Sequence, residues 1–378
     1  MAQPLNQDMK KINLFILLPI LLLTVANIQI QVFEGTEKVV NTQEEQYYNL
    51  EDFRSVKKFD IHIHINTEED FFIEQAQADN FQFLDIVDDR PFGLPMDEQQ
   101  KIAMLHLKNF SQDMAVATTF SVNDWGNDDW IENTITGLKK SFSDGAIAVK
   151  IWKNIGMDLR DENGRFVMVD DVRIDPILDF LVTNNIPLLG HNGEPRDCWL
   201  PLDEMTFSQS YYASHPEYHM YLHPEYPSYQ DQIDARDHML EKHPDLVFMG
   251  AHLGSLEWSL DELAKRLEKF PNMHVDLTRI SNLKLHTFND RQKTREFFIK
   301  FQDRLIYGTD SQINASTNAA EFKKSVHDRW LLEWKFYVTD EKINLEKFVE
   351  LKGLKLPTEV VDKIYAQNAL RILGLQNW

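Results

Sequence analysis

Phe59-Asp60-Ile61-His62-Ile63-His64-Ile65 alternates apolar and polar side chains without a break, the period-two pattern of a half-buried strand. Successive side chains on a strand point to opposite faces. The alternation therefore predicts Asp60, His62 and His64 on one face and Phe59, Ile61, Ile63 and Ile65 on the other. A buried face carrying Asp, His and His needs polar partners. A divalent metal fits two imidazoles at this spacing; the plainer reading is a polar face turned to solvent. Further ligands elsewhere in the chain decide between the two.

Working outward, further strand-like runs lie at residues 81–87, 114–120, 146–152, 186–191, 246–252, 273–277 and 304–310. Helical patterns fall at 97–111, 128–141, 175–182, 228–243, 260–270, 294–301 and 359–373. Repeated βα units imply a parallel sheet, and eight strands of this kind predict an α/β protein with a closed (β/α)8 TIM barrel. The strands are near-continuous apolar runs, as expected where both faces are covered. A long interruption at 192–227 carries Tyr211, Tyr212, Tyr218, Tyr221 and Tyr226 and predicts an ordered lid after the fifth strand. A second insertion, at about 311–350, follows the eighth strand and holds Trp330, Trp334 and Phe336.

With 378 residues, 43% of them hydrophobic and 26% charged, the chain has the composition of a globular protein and the length of one large barrel. A formal net charge of −21 repels phosphate backbones and argues against a nucleic-acid partner. The single cysteine, Cys198, excludes an intrachain disulfide and a cysteine-rich zinc site. It reads as a buried structural thiol, since no Cys–His pair is identifiable. A metal must then be held by His, Asp, Glu or a modified Lys. No G-x-x-x-x-G-K-[ST], G-x-G-x-x-G or G-x-S-x-G is present, which disfavours ATP, dinucleotide and serine-hydrolase chemistry.

Lys10-Lys11 precede an apolar run at 12–23, and Thr24-Val25-Ala26 follows. This reads as a signal peptide over residues 1–26; the run is short of the about 20 apolar residues of a spanning helix. The expectation is an exported protein, periplasmic or secreted, with an uncleaved membrane anchor as the alternative. Residues 27–55 read as a polar arm or linker, and 56–378 as the barrel domain. A small-molecule substrate is expected, and assembly as a homo-oligomer is left open.

In such a barrel the C-terminal strand ends carry the active site. They supply His62 and His64, Lys150 and Trp152, His191, His252, and Asp310 from the first, fourth, fifth, sixth and eighth strands. HxH on the first strand, His ending the fifth and sixth, and Asp ending the eighth resemble the metal-dependent amidohydrolase superfamily. Gly250-Ala251-His252-Leu253-Gly254, Tyr307-Gly308-Thr309-Asp310-Ser311 and the closing Tyr365-Ala366-Gln367-Asn368-Ala369-Leu370-Arg371-Ile372-Leu373-Gly374 are similar to its amidohydrolase-related branch. That branch includes aminocarboxymuconate-semialdehyde decarboxylase, resorcylate decarboxylases and lactone hydrolases.

The resemblance implies His62, His64, His191 and Asp310 as metal ligands. His252 would hold a second metal or polarise the substrate. Three imidazoles and a carboxylate suit Zn2+ or Mn2+, with one ion expected rather than two. Such a metal lowers the pKa of water to about 7, and Asp310 would carry the proton to the leaving group. Lys150 occupies the place of a carboxylated lysine in two-metal members; unmodified, it is a cation for the substrate. Glu194, Arg196, Arg279, Trp152 and His223 are candidate substrate contacts, and Asp60 a support for His62. His215, His219 and His223 are spaced by four, but Pro216 and Pro224 interrupt the helix that would align them. The expected activity is hydrolysis of an ester, lactone or amide carbonyl. A non-oxidative decarboxylase using the same ligands is the alternative. An inactive ligand-binding barrel is a third reading, which the intact set of four His and Asp disfavours.

Overall fold

β1 (Lys58–Asn66) is the first strand of the barrel and its most consequential one. The computed structural model describes residues 45–345 and 348–375; the leader at 1–26 and the arm up to residue 44 lie outside them. After β1 come β2 (Phe81–Ile86), β3 (Met114–Thr118), β4 (Ala148–Ile151), β5 (Leu188–Gly190), β6 (Phe248–Gly250), β7 (Met273–Asp276), β8 (Leu305–Ile306) and β9 (Ser311–Asn314). The order is β8-β7-β6-β5-β4-β3-β2-β1-β9, with every neighbouring pair parallel. The ring closes where β8 runs on towards β9: Ile61 donates its N–H to the Tyr307 carbonyl at 3.0 Å, and Asp310 donates to the His62 carbonyl at 2.9 Å. This is the TIM barrel that the βα repeats predict.

β1 departs from the alternation in one decisive way. Asp60 pairs with Phe83, but the next partners are Ile63 and Asp85, so β1 carries one more residue than β2 across this step. Such a bulge reverses the facing of everything beyond it. Phe59 and Ile61 enter the lumen cluster with Leu84, Ala117, Leu189 and Met249. Ile63 and Ile65 pack outward with Phe71, Phe72 and Phe83. The expected common face of Asp60, His62 and His64 is therefore corrected. His62 and His64 turn towards the barrel mouth, whereas Asp60 belongs to the wall. There its carboxylate accepts N–H groups from His62 at 3.1 Å and Thr309 at 3.0 Å and the Thr309 hydroxyl at 2.7 Å.

The bottom of the lumen is plugged by Ala369 and Leu373 of the closing helical segment, which touch the same lumen cluster. That segment contains a π turn at Lys363–Gln367, and the Ile364 carbonyl within it accepts the Tyr307 N–H at 2.9 Å. The segment after β8 consists of β9, the long helix Ala319–Val338 and the antiparallel pair β10 (Lys342–Leu345) and β11 (Phe348–Lys352). Trp330 of the long helix is fully buried and stacks on Phe81 at 4.2 Å. The 192–227 segment is ordered as a short helix, Gln209–Ser214, among 3-10 turns. Cys198, Met205, Tyr212 and Met220 of this segment form a small core with Met157, which comes from the short helix after β4. Cys198 is fully buried. Among the described residues, no helix is long and apolar enough to cross a membrane.

Candidate metal centre

Beyond the bulge, β1 delivers two imidazoles whose outer nitrogens are already engaged. His62 Nδ1 lies 2.7 Å from Asp276 Oδ2, and His64 Nδ1 lies 2.9 Å from the Ile86 carbonyl. A carbonyl only accepts and a carboxylate accepts when ionised, so each Nδ1 carries the proton and each Nε2 is left unprotonated. Both Nε2 atoms face one oxygen, Asp310 Oδ1, at 3.5 and 3.6 Å. Burial holds the His64 imidazole down to about 3, so it is a neutral donor at physiological pH. Among the described residues, His62, His64 and Asp310 form the one cluster of this kind whose donor atoms lie mutually within 4.8 Å.

Asp310 sits in the left-handed region at φ 56°, uncommon for a residue with a side chain. Its backbone is pinned by the hydrogen bond to His62 O. Burial pushes its carboxyl up, but His62, His64 and Lys150 outweigh that and leave it below the ordinary carboxylate value. His252, at φ 57°, is held by its N–H to Asp276 Oδ1 at 2.7 Å. Thr278 donates its hydroxyl to Asp276 Oδ1 at 2.9 Å and lies 2.7 Å from His252 Nδ1. Thr278 Oγ1 thus accepts from His252 Nδ1, and His252 Nε2 is left unprotonated, 3.7 Å from Asp310 Oδ2. His191 packs edge-on against His252, ring centroids 4.5 Å apart. Its buried Nε2 has no hydrogen-bond partner, and burial keeps the imidazole neutral. Lys150 Nζ reaches within 3.5 Å of His62 Nε2, and burial lowers the amine to about 8 against the pull of Asp310, Asp276 and Asp88.

These donors fit a divalent metal. Unprotonated Nε2 atoms, fixed tautomers, a depressed carboxylate and an orphaned buried imidazole nitrogen are what a metal site requires. A family model described as Amidohydrolase matches residues 127–375, well over half of the chain.

The chain belongs to the amidohydrolase family.

The site neighbours and the family agree with the amidohydrolase-related resemblance, and the protein is an enzyme of the hydrolase type. The match begins after β3, so the placement of His62 and His64 rests on the barrel geometry. Similar solved structures include one described as a "putative amidohydrolase" from Staphylococcus aureus, with TM-score 0.50 and 13% identity over 84% of this chain and 100% of that one. An uncharacterised TIM-barrel protein from Bordetella bronchiseptica gives 0.49 and 13% over 85% and 100%. A 4-oxalomesaconate hydratase from Rhodopseudomonas palustris gives 0.46 and 13% over 85% and 96%. At these identities the likeness concerns the fold. No curated protein sequence matches significantly.

Around the amidohydrolase site, the structure sorts the other candidates. Trp152 and Glu194 line a cavity of about 860 Å3 together with Arg90, Phe92, Lys153 and Tyr218. Glu194 is ion-paired with Lys153. Arg279 is also near the site, where its charge acts on His252 and Asp310. His223 is not brought there: its Nε2 lies 2.9 Å from the Pro216 carbonyl, so it fastens its own loop. Arg196 stacks on Trp258 at 4.3 Å, and its backbone N–H is bonded to Glu257 at 2.9 Å. His215 and His219 do not join the site either. His219 is buried against the Leu200 carbonyl at 2.7 Å, and His215 faces Glu217 at the surface. Sequence reading missed Asp276, Asp88 and Arg90. Asp276 is an acid at the end of an otherwise apolar strand, a signal present in Met273-His274-Val275-Asp276-Leu277. Asp88 and Arg90 are bonded to each other beside His64, and nothing in their spacing announces it.

Proposed function

We propose that this amidohydrolase hydrolyses an ester, lactone or amide carbonyl of a small molecule, using one Zn2+ or Mn2+ held by His62, His64 and Asp310, with His191 completing the set. The observation that carries the reading is the pair of unprotonated Nε2 atoms converging on Asp310. The metal supplies Lewis-acid activation of water and of the substrate carbonyl. Asp310, held as a carboxylate, accepts the proton from water at its free oxygen and returns it to the leaving group. His252 Nε2, unprotonated and beside Asp310 Oδ2, accepts a hydrogen bond or proton from the same region. Lys150 Nζ offers a cation to the carbonyl oxygen or to a substrate carboxylate. Trp152 and Phe92, edge to face at 5.9 Å, give the substrate an apolar wall. Export to the periplasm or beyond remains part of the proposal, supported by the basic-then-apolar leader.

Metal analysis of the purified protein tests it. At least one equivalent of Zn2+ or a similar ion is expected, and the double substitution His62→Ala, His64→Ala should abolish it. Full activity in metal-free protein would sink the mechanism. A panel of lactones and carboxylic acids, read for hydrolysis product and for CO2, separates hydrolysis from decarboxylation.

A further inference from the structure

A second cavity, about 610 Å3, lies where the start of the helix Ile280–Asn289 faces the middle of the helix Ala319–Val338. Its wall includes Arg279, Ser281, Lys284, Asp328, Arg329 and Glu333. Lys284 is only 6% exposed, yet among the described residues its ammonium has no hydrogen bond or ion pair. Glu333 acts on it only through space, and an ammonium withdrawn this far from water without a direct partner is costly. The carboxylates of the wall are already engaged. Glu333 accepts the Tyr307 hydroxyl and, at 2.8 Å, Arg329 Nε; Asp328 is paired with Lys324. Arg329 is spent on Glu333 and on the Thr309 carbonyl at 2.8 Å. Arg279 is not: its buried Nε has no acceptor. The helix start adds the Ile280 and Ser281 N–H groups; those of Asn282 and Leu283 are bonded to the Arg279 carbonyl at 3.0 and 3.2 Å.

We propose that this cavity binds a phosphate-sized oxyanion, held by Lys284, Arg279 and the Ile280 and Ser281 amides of the Ile280–Asn289 helix. Two cations without a hydrogen-bonded or ion-paired carboxylate, together with a helix N-terminus, favour an oxyanion here, although Glu333 acts on Lys284 and Asp310 and Glu257 share the charge of Arg279. The chain as a whole carries a net charge of −21, so an anion is drawn here by local groups alone. Burial lowers the Lys284 amine from its ordinary value, and a bound anion reverses that pressure. The proposal does not rest on the metal reading; the cavity borders the metal centre at Thr278 and Arg279, beside His252, and through Arg329, which bonds the carbonyl of Thr309 next to Asp310.

The test is calorimetric titration of inorganic phosphate into metal-free protein, with methyl phosphate in parallel. Saturable binding of one phosphate per chain is expected. Lys284→Met should weaken it at least about tenfold, and so should Ser281→Asp, an exposed change that places a carboxylate at the helix start and spares the buried lysine. His62→Ala with His64→Ala should leave phosphate binding within about twofold, which separates this site from the metal centre. Methyl phosphate binding as well as phosphate assigns the phosphoryl end of a larger ligand; phosphate alone assigns a free anion. No saturable binding by the unmodified chain overturns the proposal, as does unchanged binding in Ser281→Asp. If Lys284→Met does not fold, Ser281→Asp decides.

Discussion

Replacing Asp276 by Asn tests the logic of the metal centre without touching a proposed ligand. Asp276 Oδ2 accepts from His62 Nδ1 at 2.7 Å, while Oδ1 accepts the His252 N–H at 2.7 Å and the Thr278 hydroxyl at 2.9 Å. The carboxylate is 1% exposed, so water cannot stand in for a lost acceptor. Asn offers one oxygen and one NH2. If the NH2 faces His62, two donors collide, and relief requires His62 to move its proton to Nε2, which removes the lone pair aimed at Asp310. If the NH2 faces the other way, the His252 N–H and Thr278 hydroxyl lose their acceptor. Either orientation disorders one imidazole. Loss of such a supporting hydrogen bond lowers metal affinity by about 10–100-fold, or about 1.4–2.8 kcal/mol at 1.4 kcal/mol per decade. The assay is competition for Zn2+ against a chelating dye, with circular dichroism confirming the fold. A folded Asp276→Asn variant that binds Zn2+ within about twofold of the unmodified protein would refute the tautomer argument.

Three further outcomes follow from burial. Burial raises the Cys198 thiol to about 11, so the reactive thiolate is scarce at pH 8; iodoacetamide should label it only after denaturation, and rapid native labelling would contradict its place in the lid core. His274 is held down to about 3, by burial first and then by Arg304 and Arg371. Its folded pKa lies below the unfolded value of about 6.5, so its contribution to stability is complete above pH 6.5 and is lost as pH falls towards 3. Urea midpoints should drop over that window, and His274→Leu should shallow the drop if it folds. Trp330→Ala removes a fully buried ring stacked on Phe81 and should cost about 3–5 kcal/mol in urea unfolding; a loss under about 1 kcal/mol would show that the outer layer carries little of the stability.

The sequence by itself determined the barrel and the family. Eight apolar runs separated by helical patterns leave few alternatives to a parallel closed sheet, and polar residues at the ends of such runs have to answer to chemistry. His62, His64, His252 and Asp310 were legible for that reason. Tertiary structure alone decided how they meet. The Phe59–Ile65 alternation predicted one polar face, but the register step between Asp60 and Ile63 split it, because one extra residue on β1 reverses side-chain direction relative to β2. Pairing register is a property of two strands, and no single strand encodes it. Asp276 lies 214 residues from its partner His62, and the Lys284 cavity is walled by two helices that no local pattern connects. His223 shows the converse: Pro216 and Pro224 already indicated in the sequence that it does not align with His215 and His219, but only the fold showed its Nε2 bonded to the Pro216 carbonyl. Local periodicity fixes which residues are inside, while contacts between distant segments fix what each one touches.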